Sequence, residues 1–583
     1  MNGLWNLDPI YRGFEDPAFE ADLAALKQTV ADFETLAAAL PESAPLEGLR
    51  RGIALDEQAQ DLVSKLAEYA MLRQAADTTD PQAGSHMGRI FGAYSGLAAP
   101  EAAFRAWAAQ LPNLMELVLG DDFLKDYRFL FETMAESSRY LLPGKGEQIM
   151  ARMQMSGSNA WSELQQYLTS TVPVTYRGQT LNLSTVRNLA SDADPAVRKD
   201  AFEAEIACYD RIKDAVAYAL NSIKLETLSD CMLRGYTSPL ERTLKGAHMK
   251  RETLDAMFAA MEEYMPKFRQ YLKVKAKALG HANGLPWYDL LAPMGSSSTK
   301  LSVEDARAYL LEQFTAFDTD IADMIAKAFD NQWIDFFPRS GKQGGAFCAG
   351  VECIGESRIL TNFDGRFSDV VTLAHELGHA FHNECIQSHR SLNHNYSMPL
   401  AETASTFNEC VVMASAIGKA ADDAERISLI ESQLQDTTQI ICDIYSRYLF
   451  EDRVLREREE KFMDADTLCS YMLQAQKECY GDGLDENCQH PYMWVNKSHY
   501  YGETFYNFPY AFGGLFARGL YAQYEKEGKD FLPKYKKLLY TTTVATAEDT
   551  AMVAGIDLTD KEFWRSALQT VADQIDLFCR LVQ

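Results

Sequence analysis

The chain is short of positive charge and of histidine, and it has no long hydrophobic run. Its 583 residues hold 56 Lys and Arg against 83 Asp and Glu, a formal net charge of −27. Affinity for a phosphate backbone comes mainly from Lys and Arg displacing counterions, so nucleic acid is not an expected partner. No uninterrupted apolar stretch reaches the roughly 18 residues of a membrane span, and no membrane association is expected. The opening residues, Met1 to Pro9, lack a basic region and an apolar stretch of signal length. The 11 cysteines include no C-x-x-C pair, and their odd number argues against a full set of internal disulfides. These absences together predict a cytoplasmic protein.

No Gly/Ser linker separates the two halves, and internal repeats and low-complexity tracts are missing as well. A hydrophobic fraction of 47% and a charged fraction of 24% are those of an ordinary globular chain. The length exceeds the roughly 250–300 residues that one core usually serves, so more than one structural unit is expected. Most of the chain reads as helix. Residues 18–39 and 56–76 are Ala/Leu-rich with apolar positions three and four apart, and Phe563, Ala567, Leu568, Val571, Ile575, Phe578 and Val582 trace one stripe behind a capping box at Thr559 and Glu562. Two stretches depart from that pattern. Alternation on either side of Arg177-Gly178 predicts a β-hairpin, after which Asp194-Pro195 opens a new helix. We place a soft boundary there, giving residues 1–195 as an N-terminal helical domain and 196–583 as the catalytic one. The second departure, residues 341–367, predicts a short antiparallel sheet that includes Gly344-Gly345 and the alternating run Arg358 to Phe363.

Five of the 10 histidines fall between positions 375 and 394. Ser368 can cap a helix that runs through Ala374-His375-Glu376-Leu377-Gly378-His379-Ala380-Phe381-His382. At about 100° per residue, His375 and His379 stand one turn apart on one face and can reach a single metal ion. Glu376 projects beside them, where it can hold a water without ligating the metal. Catalytic zinc takes three protein ligands, so a third should follow. The metzincin pattern would need Gly at 382 and His at 385, but the chain has His382 and Cys385. A glutamate from a following helix is the alternative, and Leu400-Ala401-Glu402-Thr403-Ala404-Ser405-Thr406-Phe407-Asn408-Glu409 offers two, Glu402 and Glu409, seven residues apart. His382 would close the metal's open position if it ligated, so a hydrogen-bonded role is expected for it. His389 and His394 read as loop residues.

The A-H-E-L-G-H-A-F-H helix, L-A-E-T-A-S-T-F-N-E, G-G-A-F-C ahead of the helix and the run His499 to Gly513 resemble the M3 metallopeptidases, and within them the oligoendopeptidase F group. The motifs span about residues 340–515 in the family's order. The resemblance implies a mainly α-helical zincin-type fold with a small antiparallel sheet beside the active-site helix, and two helical halves around a deep channel. It implies one Zn2+ per chain held by His375, His379 and Glu402, with Glu409 hydrogen-bonding a ligand imidazole. It also implies catalytic roles for Glu376 as general base and for His499, Tyr506 and Tyr510 as groups facing the carbonyl oxygen, with Tyr501 in reserve. An exposed strand edge beside such a site can pair with an extended peptide, which predicts substrate contacts at Gly344, Gly345, Arg358, Leu360 and Asn362. The expected function is hydrolysis of internal bonds in short unfolded oligopeptides, with no oligomeric state assigned. The alternatives are a catalytically silent peptide-binding protein on the same scaffold and a helical interaction protein with a chance motif.

Overall fold

The computed structural model describes residues 3–143, 145–295 and 300–583. Helices dominate, with one two-stranded and one three-stranded sheet among the described residues. No described helix is long and apolar enough to cross a membrane. The chain divides into two compact units, each assembled from three separated segments: residues 1–139, 299–415 and 523–555 form one, and 140–298, 416–522 and 556–583 the other. The boundary expected near residue 195 falls inside the second unit, at the start of the helix Pro195–Tyr209.

In the first unit, Asp16 caps the helix Pro17–Ala39 and Pro17 presets its first turn. Phe19, Leu23, Leu26, Val30, Phe33 and Leu36 then recur at three- and four-residue steps and are all buried. They pack in one core with Leu49, Ile53, Leu66 and Tyr69 of the helix Pro45–Ala76, which begins well before the expected residue 56. At about 1.5–3 kcal/mol for each fully buried large side chain, this stripe rather than helix propensity holds the segment.

In the second unit, Val174–Tyr176 and Gln179–Leu181 form the expected antiparallel hairpin. Arg177 and Gly178 turn it with φ of 46° and 78°, the paired positive values a two-residue turn requires. The C-terminal helix Lys561–Val582 buries Trp564, Ala567, Leu568, Val571, Ile575 and Phe578. Its cap is Asp560, which accepts from the Glu562 amide; Thr559 instead bonds Asp557, so the helix starts one residue later than the capping-box spacing suggests.

The sheet at 341–367 is mixed rather than antiparallel throughout. Phe347–Val351 pairs antiparallel with Glu356–Leu360, and Ile334–Asp335 adds a parallel partner on the other side of Glu356–Leu360. The central strand therefore has no free edge along Ile359-Leu360. Arg358 and Leu360 are fully buried, and Arg358 donates to the Asn6 carbonyl at 2.8 Å and to Glu356 at 2.8 Å. This corrects the expectation that Arg358 and Leu360 line a strand edge open to a peptide: the open edge belongs to Phe347–Val351, which has no second strand partner among the described residues.

Candidate active site

The helix Phe367–Ile386 follows the sheet directly. Ser368 does not cap it; Asp369 reaches back to accept from the amides of Arg366 and Asp364 at 3.0 and 2.8 Å, and the helix begins two residues earlier than expected. Leu373, Ala374, Leu377 and Phe381 anchor one side, which leaves His375 and His379 half-buried on the other. Glu402 sits at the junction between the short helix Met398–Ala401 and the long helix Thr403–Lys419.

What lets that junction approach is Gly378. A Cβ there would stand 2.5 Å from the Ala404 carbonyl oxygen and 2.6 Å from Ser405 Cα. Asn408, buried, ties the same two segments by donating to the Ala374 carbonyl at 3.1 Å. Sequence reasoning passed over both residues. A glycine in the middle of an apolar helix costs about 1 kcal/mol against alanine unless packing requires it, and that was the available signal.

The approach brings three ligand atoms together. His375 Nε2 lies 3.2 Å from His379 Nε2, and Glu402 Oε2 lies 3.3 and 3.5 Å from them. Ligands at the 2.0–2.1 Å bond lengths of tetrahedral zinc are separated by about 3.3 Å, so the spacing of the three atoms matches one face of such a tetrahedron. His375, His379 and Glu402 are the group among the described residues with metal-binding spacing. Glu409 Oε1 is 2.6 Å from His375 Nδ1, a bond that fixes the ring with its Nε2 lone pair toward the other ligands. Ser405 donates to Glu402 Oε2 at 2.7 Å.

The neighbouring carboxylates favour positive charge on the His375 ring. Burial opposes charge on His375, but the Glu409 hydrogen bond and the charges of Glu409 and Glu402 outweigh it and hold the ring up at about 9. Burial likewise opposes charge on Glu402, yet His379 and His375 hold its carboxyl down at about 2. Glu376, only 6% exposed, is pushed above the ordinary carboxylate range by burial. His382 bonds Thr542 at 2.8 Å and stacks on Tyr396, fully buried, so it supports the helix without touching the ligand group. His389 bonds the Tyr540 carbonyl, and His394 pairs with Glu352, which gives both loop histidines structural partners.

His499, Tyr506 and Tyr510 belong to the second unit and form one aromatic cluster, with ring centroids 5.5–5.9 Å apart. Burial, then Arg447 and Lys497, hold the His499 ring below its usual range. Tyr501 is buried and donates to the Trp494 carbonyl, a packing role. Gly344 and Gly345 are exposed, with open space where a side chain would stand, and Asn362 holds their loop by donating to the carbonyls of Gln343 and Gly345.

A helical scaffold that presents H-E-x-x-H on one helix and a glutamate from the next defines a metallopeptidase. Comparison with known proteins gives the family: residues 188–570 match the model of peptidase family M3 and residues 97–172 that of Oligopeptidase F. The chain belongs to peptidase family M3. It is 22% identical to Oligopeptidase PepF of Bacillus subtilis over 98% of this chain and 86% of that one. It is 23% identical to an oligoendopeptidase F homolog of Lactococcus lactis over 99% and 97% of the two chains. Among solved structures, a Chlamydophila abortus protein assigned as a peptidase superposes with a TM-score of 0.85 at 20% identity, covering 99% of this chain and 98% of the other. Oligoendopeptidase-F of Enterococcus faecium gives 0.73 at 17%, covering 97% and 99%. These likenesses establish the fold. The matched segments are separated by residues 173–187, whereas the compact units interleave along the chain.

Proposed function

We propose that the chain is a zinc-dependent oligoendopeptidase that cuts internal bonds of short unfolded peptides, with one zinc ion per chain. The convergence of His375 Nε2, His379 Nε2 and Glu402 Oε2 at tetrahedral spacing carries the reading. When bound, zinc supplies a Lewis acid beside the scissile carbonyl and makes the attacking water more acidic. Glu376 accepts the proton of that water and returns it to the leaving amine. A carboxyl raised by burial suits a group that must first take a proton and then release it. Glu409 accepts the His375 Nδ1 hydrogen throughout and keeps the ring oriented.

His499, Tyr506 and Tyr510 are assigned as donors to the carbonyl oxygen, where negative charge develops, from their place in the aromatic motif. The free edge of Phe347–Val351 is the surface to which an extended peptide would pair its main chain, with Gly344 and Gly345 leaving room beside it. The relatives' names, oligoendopeptidase F and oligopeptidase, support a short-peptide substrate. No disulfide joins any of the 11 cysteines, which supports a reducing compartment such as the cytoplasm.

The variant Glu376→Gln tests the assignment. It should keep its zinc and lose roughly a hundred- to ten-thousandfold in kcat on quenched peptides. Wild-type cleavage by the zinc-loaded variant would refute Glu376 as the base.

A further inference from the structure

The second unit contains a charged cavity lined by none of the groups assigned to hydrolysis, although Lys497 in its wall also acts on the His499 ring. Its volume is about 150 Å3, and its walls carry Arg187, Arg198, Glu205, Asp443 and Lys497. Four of these five are matched. Arg187 pairs with Glu205, Arg198 donates to Asp289 at 2.8 Å, and Asp443 pairs with Arg447. Glu205 also accepts from Tyr209 at 2.8 Å and contacts His490 Nε2 at 3.1 Å, so it is fully engaged.

Lys497 is the exception: its ammonium makes no ion pair and no hydrogen bond with any described residue. Burial and the neighbouring Arg447 push it down to about 8 against the opposing pull of the Asp443 and Glu205 charges, which are already bound to Arg447 and Arg187; it stays charged at neutral pH. A cation in such a place is costly unless a counter-ion joins it. The rest of the wall includes Trp287, Tyr288 and Met493. One side is a π-helical turn, Gln439–Asp443, set between the helices Asp423–Thr438 and Ile444–Arg458. Turns of that kind are frequent at functional sites.

One surplus cation, two resident carboxylates and an aromatic wall select a monoanion with an apolar body over a phosphate. A cavity of roughly this volume accepts a group the size of a benzene ring. We propose that the cavity binds an apolar carboxylate, its carboxylate on Lys497 and its body against Trp287, Tyr288 and Met493. The carboxylate can come from a free small acid or from the C-terminus of a peptide. The site uses none of the groups assigned to hydrolysis, so its failure would leave the peptidase reading untouched.

Calorimetric titration of the zinc-loaded full chain tests it in two arms. One compares phenylacetate with phenylacetamide. The other compares an uncleavable N-methylated tripeptide ending in Phe, as the free acid, with its C-terminal amide. At least one acid should bind about tenfold or more tightly than its amide, the scale of one charge-assisted hydrogen bond. That preference should vanish in Lys497→Met, and the arm that shows it identifies the source. Should Lys497→Met fail to fold, Ala190→Leu, which fills the cavity and keeps every charge, takes its place and should abolish binding. Equal binding of acid and amide in both arms overturns the proposal. So does acid binding that survives in the folded variant, as coordination at the metal centre would.

Discussion

Replacing Gly378 by alanine should weaken metal binding even though alanine is the better helix former by about 1 kcal/mol. Propensity alone predicts a more stable helix. Packing predicts the opposite at the metal centre, because the new methyl group would stand 2.5 Å from the Ala404 oxygen and 2.6 Å from Ser405 Cα. Both are backbone atoms and cannot rotate away. Restoring ordinary contact at about 3.4 Å means parting the two segments by about 0.9 Å. Glu402, two residues before Ala404, moves with its segment, whereas a zinc site holds its bond lengths to about 0.2 Å. Overpacking of this kind costs about 1–3 kcal/mol. Expressed wholly in metal affinity, that is a loss of roughly five- to a hundredfold. Competition against a fluorescent zinc chelator measures it, with circular dichroism of the metal-free protein as the control for folding. Zinc affinity within about twofold of wild type, in a folded variant, would refute the claim that this close approach sets the position of Glu402.

Two further predictions concern stability. Lys224 and Glu451 form a buried pair at 2.6 Å, and Asn507 donates to the same carboxylate at 3.0 Å. Lys224→Met strands the Glu451 charge and should cost about 3–5 kcal/mol in urea unfolding; a loss below about 1 kcal/mol would contradict this. Asp56 is 7% exposed, and burial, followed by Glu101, pushes its carboxyl up to about 7. The folded chain thus holds this proton more tightly than the unfolded chain, where Asp titrates near 3.9, so stability is full below about pH 4 and declines as pH rises toward 7. Asp56→Asn should remove that decline, stabilising the protein by up to a few kcal/mol above pH 7 and not at pH 4. A gain of equal size at both would show that desolvation of Asp56 is not its source.

The helices and the pairing of His375 with His379 on one face were legible because each is local. Phe19 to Leu36 repeat the helical period within one segment, and His375 and His379 are fixed relative to each other by a single turn. The hairpin at Arg177-Gly178 was legible for the same reason. Most of what escaped depended on partners far away in the chain. Ile334–Asp335 is too short to show a period, yet it turns Glu356–Leu360 from an edge into the centre of a sheet and buries Arg358. One miss was local: Asp369, acting back along the chain, displaced Ser368 as the residue that organises the helix start. The choice between Glu402 and Glu409 came from family resemblance, since spacing allowed either. In the structure Glu402 Oε2 faces both Nε2 atoms, whereas Glu409 meets His375 at Nδ1. The interleaving of the two units is only faintly marked in composition: of the five places where the chain passes between them, the one at 298–299 carries a Gly/Ser run, Gly295 to Ser298.

The central claim is that one zinc ion on His375, His379 and Glu402 makes this chain a peptidase. The direct measurement is zinc per chain by mass spectrometry, taken alongside cleavage of quenched peptides, before chelation, after it, and during stepwise return of zinc. The account predicts one zinc per chain at the start, no cleavage after its removal, and recovery that saturates at one equivalent. Cleavage that persists in the metal-free protein, or zinc bound at that stoichiometry with no cleavage of any peptide in a mixed library, would contradict it.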